Sequence, residues 1–198
     1  MGTYPILFND DMVKAILDGR KCVTRRLIKP QPKSPVVRAM GQWQETEACA
    51  NGLRVLTPPY QQGDILYVRE CWAVAPDLPG IAEAGPVYRA DYMERELNHL
   101  KDKHFRWRPS IHMPKALARI FLRVRSVKVE RLDDMVLADV LMEGITEGIG
   151  YGDTWGKWNE TWNATIPSAD RFRYGTTANP WVWVIKFEPC EKPEGFNG

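Results

Sequence analysis

The chain has 198 residues, of which 44% are hydrophobic and 26% charged, and its formal net charge at pH 7 is +2. This length predicts one domain with a sizeable core, and the composition is that of a folded protein rather than a disordered one. No apolar run approaches the roughly 20 residues that cross a bilayer, and the N-terminus has no basic leader of the secretory kind. We therefore expect a cytoplasmic protein with no membrane partner.

Cysteines and histidines are few and scattered along the chain. The four cysteines form no CxxC pair, and the three histidines lack the HxE and PCxxC spacing of zinc deaminases. These residues therefore favour neither a disulfide framework nor a metal site, and we predict that the protein uses no cofactor.

The first predicted element is a helix that leads into a basic junction. Asn9 or Asp10 can cap this helix, and Gly19 suits the position just past its end. A β-prone segment follows, so Lys21 and Thr24 are expected on a helix-to-strand junction. The motif GRKCVTRR at this junction places four basic side chains around one threonine.

The middle of the chain is predicted to contain two insertions on either side of a strand. Proline-rich and aperiodic sequence predicts an insertion over residues 29–62, and a second is expected at about 76–114. The second includes a loop at 76–86, a short strand at 87–92 and a solvated helix at 93–104. Between the insertions, GDILYVREC at 63–71 predicts a strand with mixed faces, which suits a small barrel.

Two strands are predicted in the second half of the chain. Over residues 120–131 the apolar alternation changes phase, which predicts a bulge or a break near Ser126. The closing segment PWVWVIKFE predicts a strand at 180–188. Tryptophans 155, 158 and 162 have helical spacing, which is typical of core residues but also of a stacking platform for bases.

A helix is predicted between these two strands. Asp133 or Asp134 is expected to cap it, and it is expected to run to about Met142 and to end at Glu143 and Gly144. This prediction puts an acidic side chain at the end of a helix.

Lys21 and Thr24 allow two interpretations. A lysine whose pKa is lowered by burial or by nearby positive charge can take a proton from a threonine hydroxyl and so activate it as a nucleophile. Arg20, Arg25 and Arg26 offer such charge. The alternative is structural, because a lysine and a threonine three residues apart at a turn are commonly a solvated cation and a strand residue.

The same basic residues also suggest nucleic-acid binding. Residues 19–35 contain six basic side chains and no acidic one, and a second basic set follows at Arg119, Arg123, Arg125, Lys128 and Arg131. Both sets could face phosphates. They could equally be solvated charges.

Several blocks of the chain resemble the ASCH-domain family, relatives of the PUA RNA-binding fold, and especially its long bacterial and phage-type members. The blocks are PILFNDDMVKAILDGRKCVTRR, GDILYVRE, WRPSIHMPKALARIFLRV, ADVLMEGI and NPWVWVIKFE. They occur in the family's order and reach both ends of the chain. The family motif GxKxxExR corresponds here to Gly19, Lys21, Thr24 and Arg26, with threonine where many members have glutamate.

A small bacterial branch with this threonine acts as an N4-acetylcytidine amidohydrolase, and the resemblance implies that activity here. It assigns catalytic roles to Lys21, Thr24 and Glu143, with Glu70 as the competing carboxylate. Arg26 is our candidate for oxyanion stabilisation, and we predict that Arg26, Arg69 and Glu70 contact the substrate. The chain is about twice as long as members of that branch, and the excess lies in the predicted insertions.

We therefore predict a single α+β domain with a PUA-like β-barrel, flanking helices and long insertions. The predicted function is metal-independent hydrolysis of N4-acylated cytosine or cytidine, with an acylated nucleoside as the substrate. Two alternatives remain: a non-catalytic ASCH module that binds RNA, and a ribonuclease that uses Lys21 as its general acid or base. No obligate protein partner is implied.

Overall fold

The computed structural model describes residues 1–47, 52–74, 85–102, 106–145 and 151–196. Parts of the predicted insertions, including residues 76–84 of the expected loop and 103–104 of the expected helix, lie outside these ranges. The described strands are β1 (Thr3–Leu7), β2 (Val23–Leu27), β3 (Val36–Ala39), β4 (Gln42–Glu45), β5 (Val55–Leu56), β6 (Ile65–Arg69), β7 (Trp72–Val74), β8 (Pro86–Tyr88), β9 (Phe121–Arg131) and β10 (Trp181–Cys190). The described α-helices are α1 (Asp10–Leu17), α2 (Glu94–Asp102), α3 (Leu137–Met142), α4 (Tyr151–Ala164) and α5 (Arg171–Tyr174).

The predicted α+β class is confirmed. Five strands are hydrogen-bonded in the order β1-β6-β9-β10-β2, three more form the sheet β3-β4-β5, and β7 pairs with β8. In the described part of the chain no pairing between β1 and β2 closes the five-stranded order. The expected small barrel is therefore not present as a closed structure. No described helix has both the length and the hydropathy needed to cross a membrane.

The chain divides into two compact units, each built from separate segments. The first unit contains residues 1–20, 63–123 and 188–198, and the second contains residues 21–62 and 124–187. Because neither unit is a continuous stretch of chain, this division does not test the predicted single domain.

In the first unit, β1 runs parallel to β6, and β6 pairs antiparallel with the start of β9. Helix α1 begins as predicted, because the Asn9 side chain accepts a hydrogen bond from the Met12 N–H at 2.9 Å. Gly19 follows the helix with a φ of 73°, a left-handed conformation that favours glycine. A core cluster of this unit contains Trp72, Tyr88, Met113, Ala118, Phe121 and Phe196.

In the second unit, β2 pairs antiparallel with β10. Residues 182–185 of β10 are buried on both faces of the strand, which explains their continuous apolar sequence. Trp158 and Trp162 of α4 are buried with their ring centroids 5.8 Å apart, whereas Trp155 is half-buried. Two of the three tryptophans are therefore core residues rather than an exposed stacking platform.

The structure differs from the sequence prediction in β9. This strand runs without a break from Phe121 to Arg131, and the phase change falls on two consecutive exposed residues, Arg125 and Ser126. The predicted break is therefore wrong, because the strand is continuous through the phase change, while the alternative of a bulge near Ser126 stays a prediction.

The helix expected from residue 133 also begins later than predicted. A 3₁₀ turn covers residues 132–134, in which the Asp134 carboxylate accepts a hydrogen bond from the Arg131 N–H at 3.0 Å. Met135 is extended, and α3 starts at Leu137. The sequence shows two acidic capping candidates, but it does not indicate the two extended residues, Met135 and Val136, that separate the turn from the helix.

Candidate active site

Lys21 lies at the entry to β2, where backbone hydrogen bonds join its neighbours to the end of α3 and to β10. The Cys22 N–H donates to the Met142 carbonyl at 3.0 Å, and the Phe187 N–H donates to the Cys22 carbonyl at 2.9 Å. Lys21 and Glu143 form an isolated antiparallel bridge. The backbone therefore holds these two residues together, although 122 positions separate them in sequence.

The Lys21 ammonium is enclosed by oxygen atoms. Its Nζ donates to the Glu143 carboxylate Oε2 at 2.6 Å, to the Glu143 carbonyl at 2.8 Å and to the Val23 carbonyl at 2.8 Å. The Lys21 side chain is 1% exposed and that of Glu143 is 4% exposed. Because an ammonium has three N–H groups, these acceptors satisfy its protonated form completely.

Burial nevertheless lowers the pKa of Lys21 from its ordinary value near 10.5. The Glu143 carboxylate opposes this change, while Arg26 and Arg25 lower the pKa further. The sequence left both burial and the basic neighbours as possible causes, and the larger cause is removal of the ammonium from water. Lys21 thus becomes neutral at a lower pH than an exposed lysine would.

Glu143 is positioned by the end of α3. Its N–H donates to the Asp139 and Val140 carbonyls at 3.0 and 3.2 Å, and Gly144 follows with a φ of 87°. A left-handed glycine directly after the last helical residue is a common helix terminus. The expected approach of Glu143 to Lys21 is therefore present in the structure, while the catalytic roles of the two residues stay a prediction.

Arg25 is a member of this cluster whose carboxylate partners were not predicted from the sequence. Its guanidinium donates to Glu130 Oε1 from Nε at 2.9 Å and from Nη2 at 2.6 Å, and to Glu143 Oε1 from Nη1 at 3.1 Å. Asp139 lies 3.5 Å from Nη2, and the Arg25 side chain is fully buried. Arg25 is thus enclosed by carboxylates and cannot contact RNA phosphates. The available sequence signal was its position between Val23 and Leu27 on one face of β2.

Thr24 and Arg26 alternate with Arg25 along β2 and so lie on the opposite face of the strand. Thr24 is 3% exposed and stands opposite Ile185 of β10. Arg26 is half-buried. Burial lowers its pKa, while the Tyr60 phenol and Glu143 raise it. The second unit contains all four of these predicted site residues: Lys21, Thr24, Arg26 and Glu143.

The remaining predicted site residues, Arg69 and Glu70, belong to the first unit. Arg69 Nε donates to the Met113 carbonyl at 3.0 Å, and its Nη2 donates to the Ile111 carbonyl. The Glu70 carboxylate accepts two hydrogen bonds from the Arg119 guanidinium, each 2.9 Å long. Their role in substrate binding stays a prediction, but each is already engaged within its own unit.

We expect Glu70→Gln to destabilise the protein by about 1.5–3 kcal/mol, because a buried acceptor of two charge-assisted hydrogen bonds loses its charge. Asp91→Asn is a matched control, since Asp91 also accepts two bonds from Arg119, each 2.8 Å long. The Asp91 side chain is 43% exposed, against 0% for Glu70, so its loss should cost about 0–1 kcal/mol. Urea unfolding measures both changes, and equal losses would contradict this account.

No group of three or more His, Cys, Asp or Glu side chains that could hold a metal ion occurs among the residues that the structure describes. Comparison of the chain with protein-family models, with curated proteins and with solved structures gives no match. Any assignment of function therefore depends on the chain's own residues and on the resemblance of its sequence motifs.

Proposed function

We propose that the protein is an amidohydrolase that removes the acyl group from the exocyclic N4 of an acylated cytosine, on an ASCH-type, PUA-like fold. The observation that carries the proposal is the buried contact of 2.6 Å between Lys21 Nζ and the Glu143 carboxylate. Thr24 follows three residues after this lysine. A buried lysine paired with a hydroxyl supplies both a proton acceptor and a nucleophile, and the proposal requires Thr24 Oγ1 to reach Lys21 Nζ.

The proposed reaction requires Lys21 to be neutral before it accepts a proton. A neutral amine keeps two N–H groups and gains a lone pair, so one of its three present hydrogen bonds must be released. Burial favours the neutral amine, and the carboxylate of Glu143 retains one of the two remaining N–H groups. Glu143 thus acts as a positioning residue for Lys21.

In the first half of the reaction, the Thr24 Oγ1 attacks the acyl carbon and its proton passes to Lys21 Nζ. Collapse of the tetrahedral intermediate breaks the bond between the acyl carbon and N4. The proton on Lys21 passes to N4, which leaves as the amino group of cytosine. The products of this half are cytidine and an acyl ester of Thr24.

In the second half, water attacks the ester and gives a proton to Lys21. The bond between the acyl carbon and Thr24 Oγ1 breaks, and the proton returns from Lys21 to that oxygen. One molecule of carboxylic acid leaves for each water consumed, and the enzyme returns to its starting state. The two halves of the reaction consume one water molecule and no other reactant besides the substrate.

Arg26 is our candidate for stabilising the oxyanion. Its guanidinium lies on the face of β2 that carries Thr24, and it is charged because arginine side chains are not deprotonated in proteins. Loss of one oxyanion donor in comparable enzymes costs about 2.7–4 kcal/mol of transition-state stabilisation.

The deciding experiment is incubation of the purified protein with N4-acetylcytidine in the presence of a chelator. We expect cytidine and acetate to appear in equal amounts, and Lys21→Met to abolish their formation. Activity that vanishes on chelation and returns with zinc would refute a metal-independent mechanism. Absence of hydrolysis, together with Lys21-dependent cleavage of RNA, would instead support the ribonuclease alternative.

A further inference from the structure

The second unit contains a cavity of about 480 Å³ that the proposed reaction has not used. Residues of β3, β4, β5, the segment 57–62 and β9 line it. Its volume falls within the range of about 300–1,000 Å³ that is typical of small-molecule sites. All of these lining residues belong to one unit, so the cavity is a feature of that unit alone.

A buried carboxylate holds the wall of this cavity in place. Glu45 is 1% exposed; its Oε2 accepts hydrogen bonds from the Lys33 and Ser34 N–H groups at 3.0 and 3.3 Å. Its Oε1 accepts from Arg54 Nη1 at 2.9 Å. These bonds tie the chain before β3 and the chain before β5 to the end of β4. The wall is therefore organised before any ligand binds, which reduces the entropic cost of binding.

The lining residues match a neutral, planar ligand with hydrogen-bonding edges. Trp43 and Tyr60 provide aromatic rings, and glutamines 42, 61 and 62 provide amides that both donate and accept hydrogen bonds. Arg38 is the one charged side chain among the described lining residues, and its guanidinium lies 5.8 Å from the centroid of the Trp43 ring. A phosphate backbone would call for several cations, whereas a single base calls for rings and amides.

Tyr60 connects this cavity with the candidate active site. It lines the cavity, and its phenol interacts electrostatically with Arg26. Arg26 in turn shares a face of β2 with Thr24. Tyr60 is therefore the lining residue that relates the cavity to the face of β2 that carries Thr24.

We infer that this cavity binds the base of a single free nucleoside, stacked on Trp43 and Tyr60, and that the protein acts on nucleosides rather than on RNA strands. The inference rests on the proposed function for the identity of the base. It also gives the 29–62 segment a role, because that segment supplies most of the cavity wall.

The test is a binding titration with cytidine, which is the expected product and cannot be hydrolysed further. Trp43→Ala should raise the dissociation constant about tenfold or more, since loss of one aromatic stacking partner has an effect of this size. Trp155→Ala is the matched control, because Trp155 is half-buried and lines a separate cavity with Trp158 and Asn159. It should change the constant less than twofold, and Trp43→Phe should retain most of the affinity.

Three results would overturn the inference. One is saturable binding that Trp43→Ala leaves unchanged, and another is absence of saturable cytidine binding to the wild-type protein. The third is tighter binding of an RNA oligonucleotide that contains one acetylated cytidine than of the nucleoside, with an affinity for the oligonucleotide that falls steeply with salt. If Trp43→Ala does not fold, Gln62→Ala provides the same comparison at an exposed position. Cavity-dependent binding without hydrolysis of N4-acetylcytidine would support the base-binding role of the cavity and refute the proposed reaction.

Discussion

Replacing Thr24 with alanine is expected to lower kcat for N4-acetylcytidine by roughly 10⁴- to 10⁶-fold, the range seen when a member of a nucleophile and base pair is removed. The hydroxyl forms a covalent bond in the transition state and contributes little to the ground state. The KM should therefore change little. Steady-state kinetics on folded protein, with binding of cytidine as a separate measurement, distinguishes the two effects.

Two further substitutions at the same position separate chemistry from packing. Thr24→Val keeps the branched shape of a buried side chain and should be as inactive as Thr24→Ala, with smaller loss of stability. Thr24→Ser keeps a hydroxyl but loses the methyl group that restricts its rotamer, so it should retain partial activity. Hydrolysis by Thr24→Val at close to the wild-type rate would end the nucleophile proposal.

Local signals in the sequence predicted the junction that carries the site. Asn9 caps α1, Gly19 ends it in a left-handed conformation, and β2 begins soon afterwards. Each of these features depends on residues within one or two turns of one another. The end of α3 directly before Glu143 was predicted for the same reason, because Gly144 follows that capping residue.

The features that the sequence did not predict depend on partners that lie far away along the chain. From its local sequence, Arg25 is expected to be an exposed basic residue. In the structure three carboxylates surround it, and they lie more than 100 positions away: Glu130, Asp139 and Glu143. Only the folded strand order brings them together. Burial lowers the pKa of Lys21 and removes the Arg25 side chain from the surface where it could contact phosphates. Neither effect can be predicted from composition alone.

The sheet formed by β3, β4 and β5 was missed for a related reason. Its sequence shows little alternation, because the buried Glu45 pairs with the partly exposed Arg54 where an apolar contact would have given a recognisable pattern. The sequence therefore predicts only an insertion over residues 29–62 and no regular structure within it. The cavity lined by Trp43 and Tyr60 could not be predicted before this sheet was known.

Glu143→Gln is expected to move the pH dependence of hydrolysis toward lower pH. The reaction needs neutral Lys21, so kcat/KM should rise with pH through the pKa of Lys21, which burial holds below 10.5. Glu143 raises that pKa, and its neutral replacement removes the opposing charge. The rising limb should therefore shift to lower pH. The maximal kcat should fall as well, because Lys21 loses its positioning carboxylate.

The stability of the folded protein gives a second measurement that does not depend on activity. Between the folded pKa of Lys21 and its unfolded value, the unfolded chain binds more protons, so the free energy of unfolding should rise with pH across that window. In Glu143→Gln the window should begin at a lower pH. At neutral pH the substitution should also cost about 3 kcal/mol, since it breaks a buried ion pair.

Asp139→Asn is the control for both measurements. Asp139 lies 3.5 Å from Arg25 Nη2, so its substitution perturbs the same ion-pair network. Asp139 itself provides none of the three acceptors that bind the Lys21 ammonium. Asp139→Asn should lower stability without moving the pH limb. An unchanged or upward limb in Glu143→Gln, or an equal shift in both variants, would show that Glu143 does not set the proton affinity of Lys21. In that case the 2.6 Å contact would be a structural ion pair, and the base would have to be sought elsewhere.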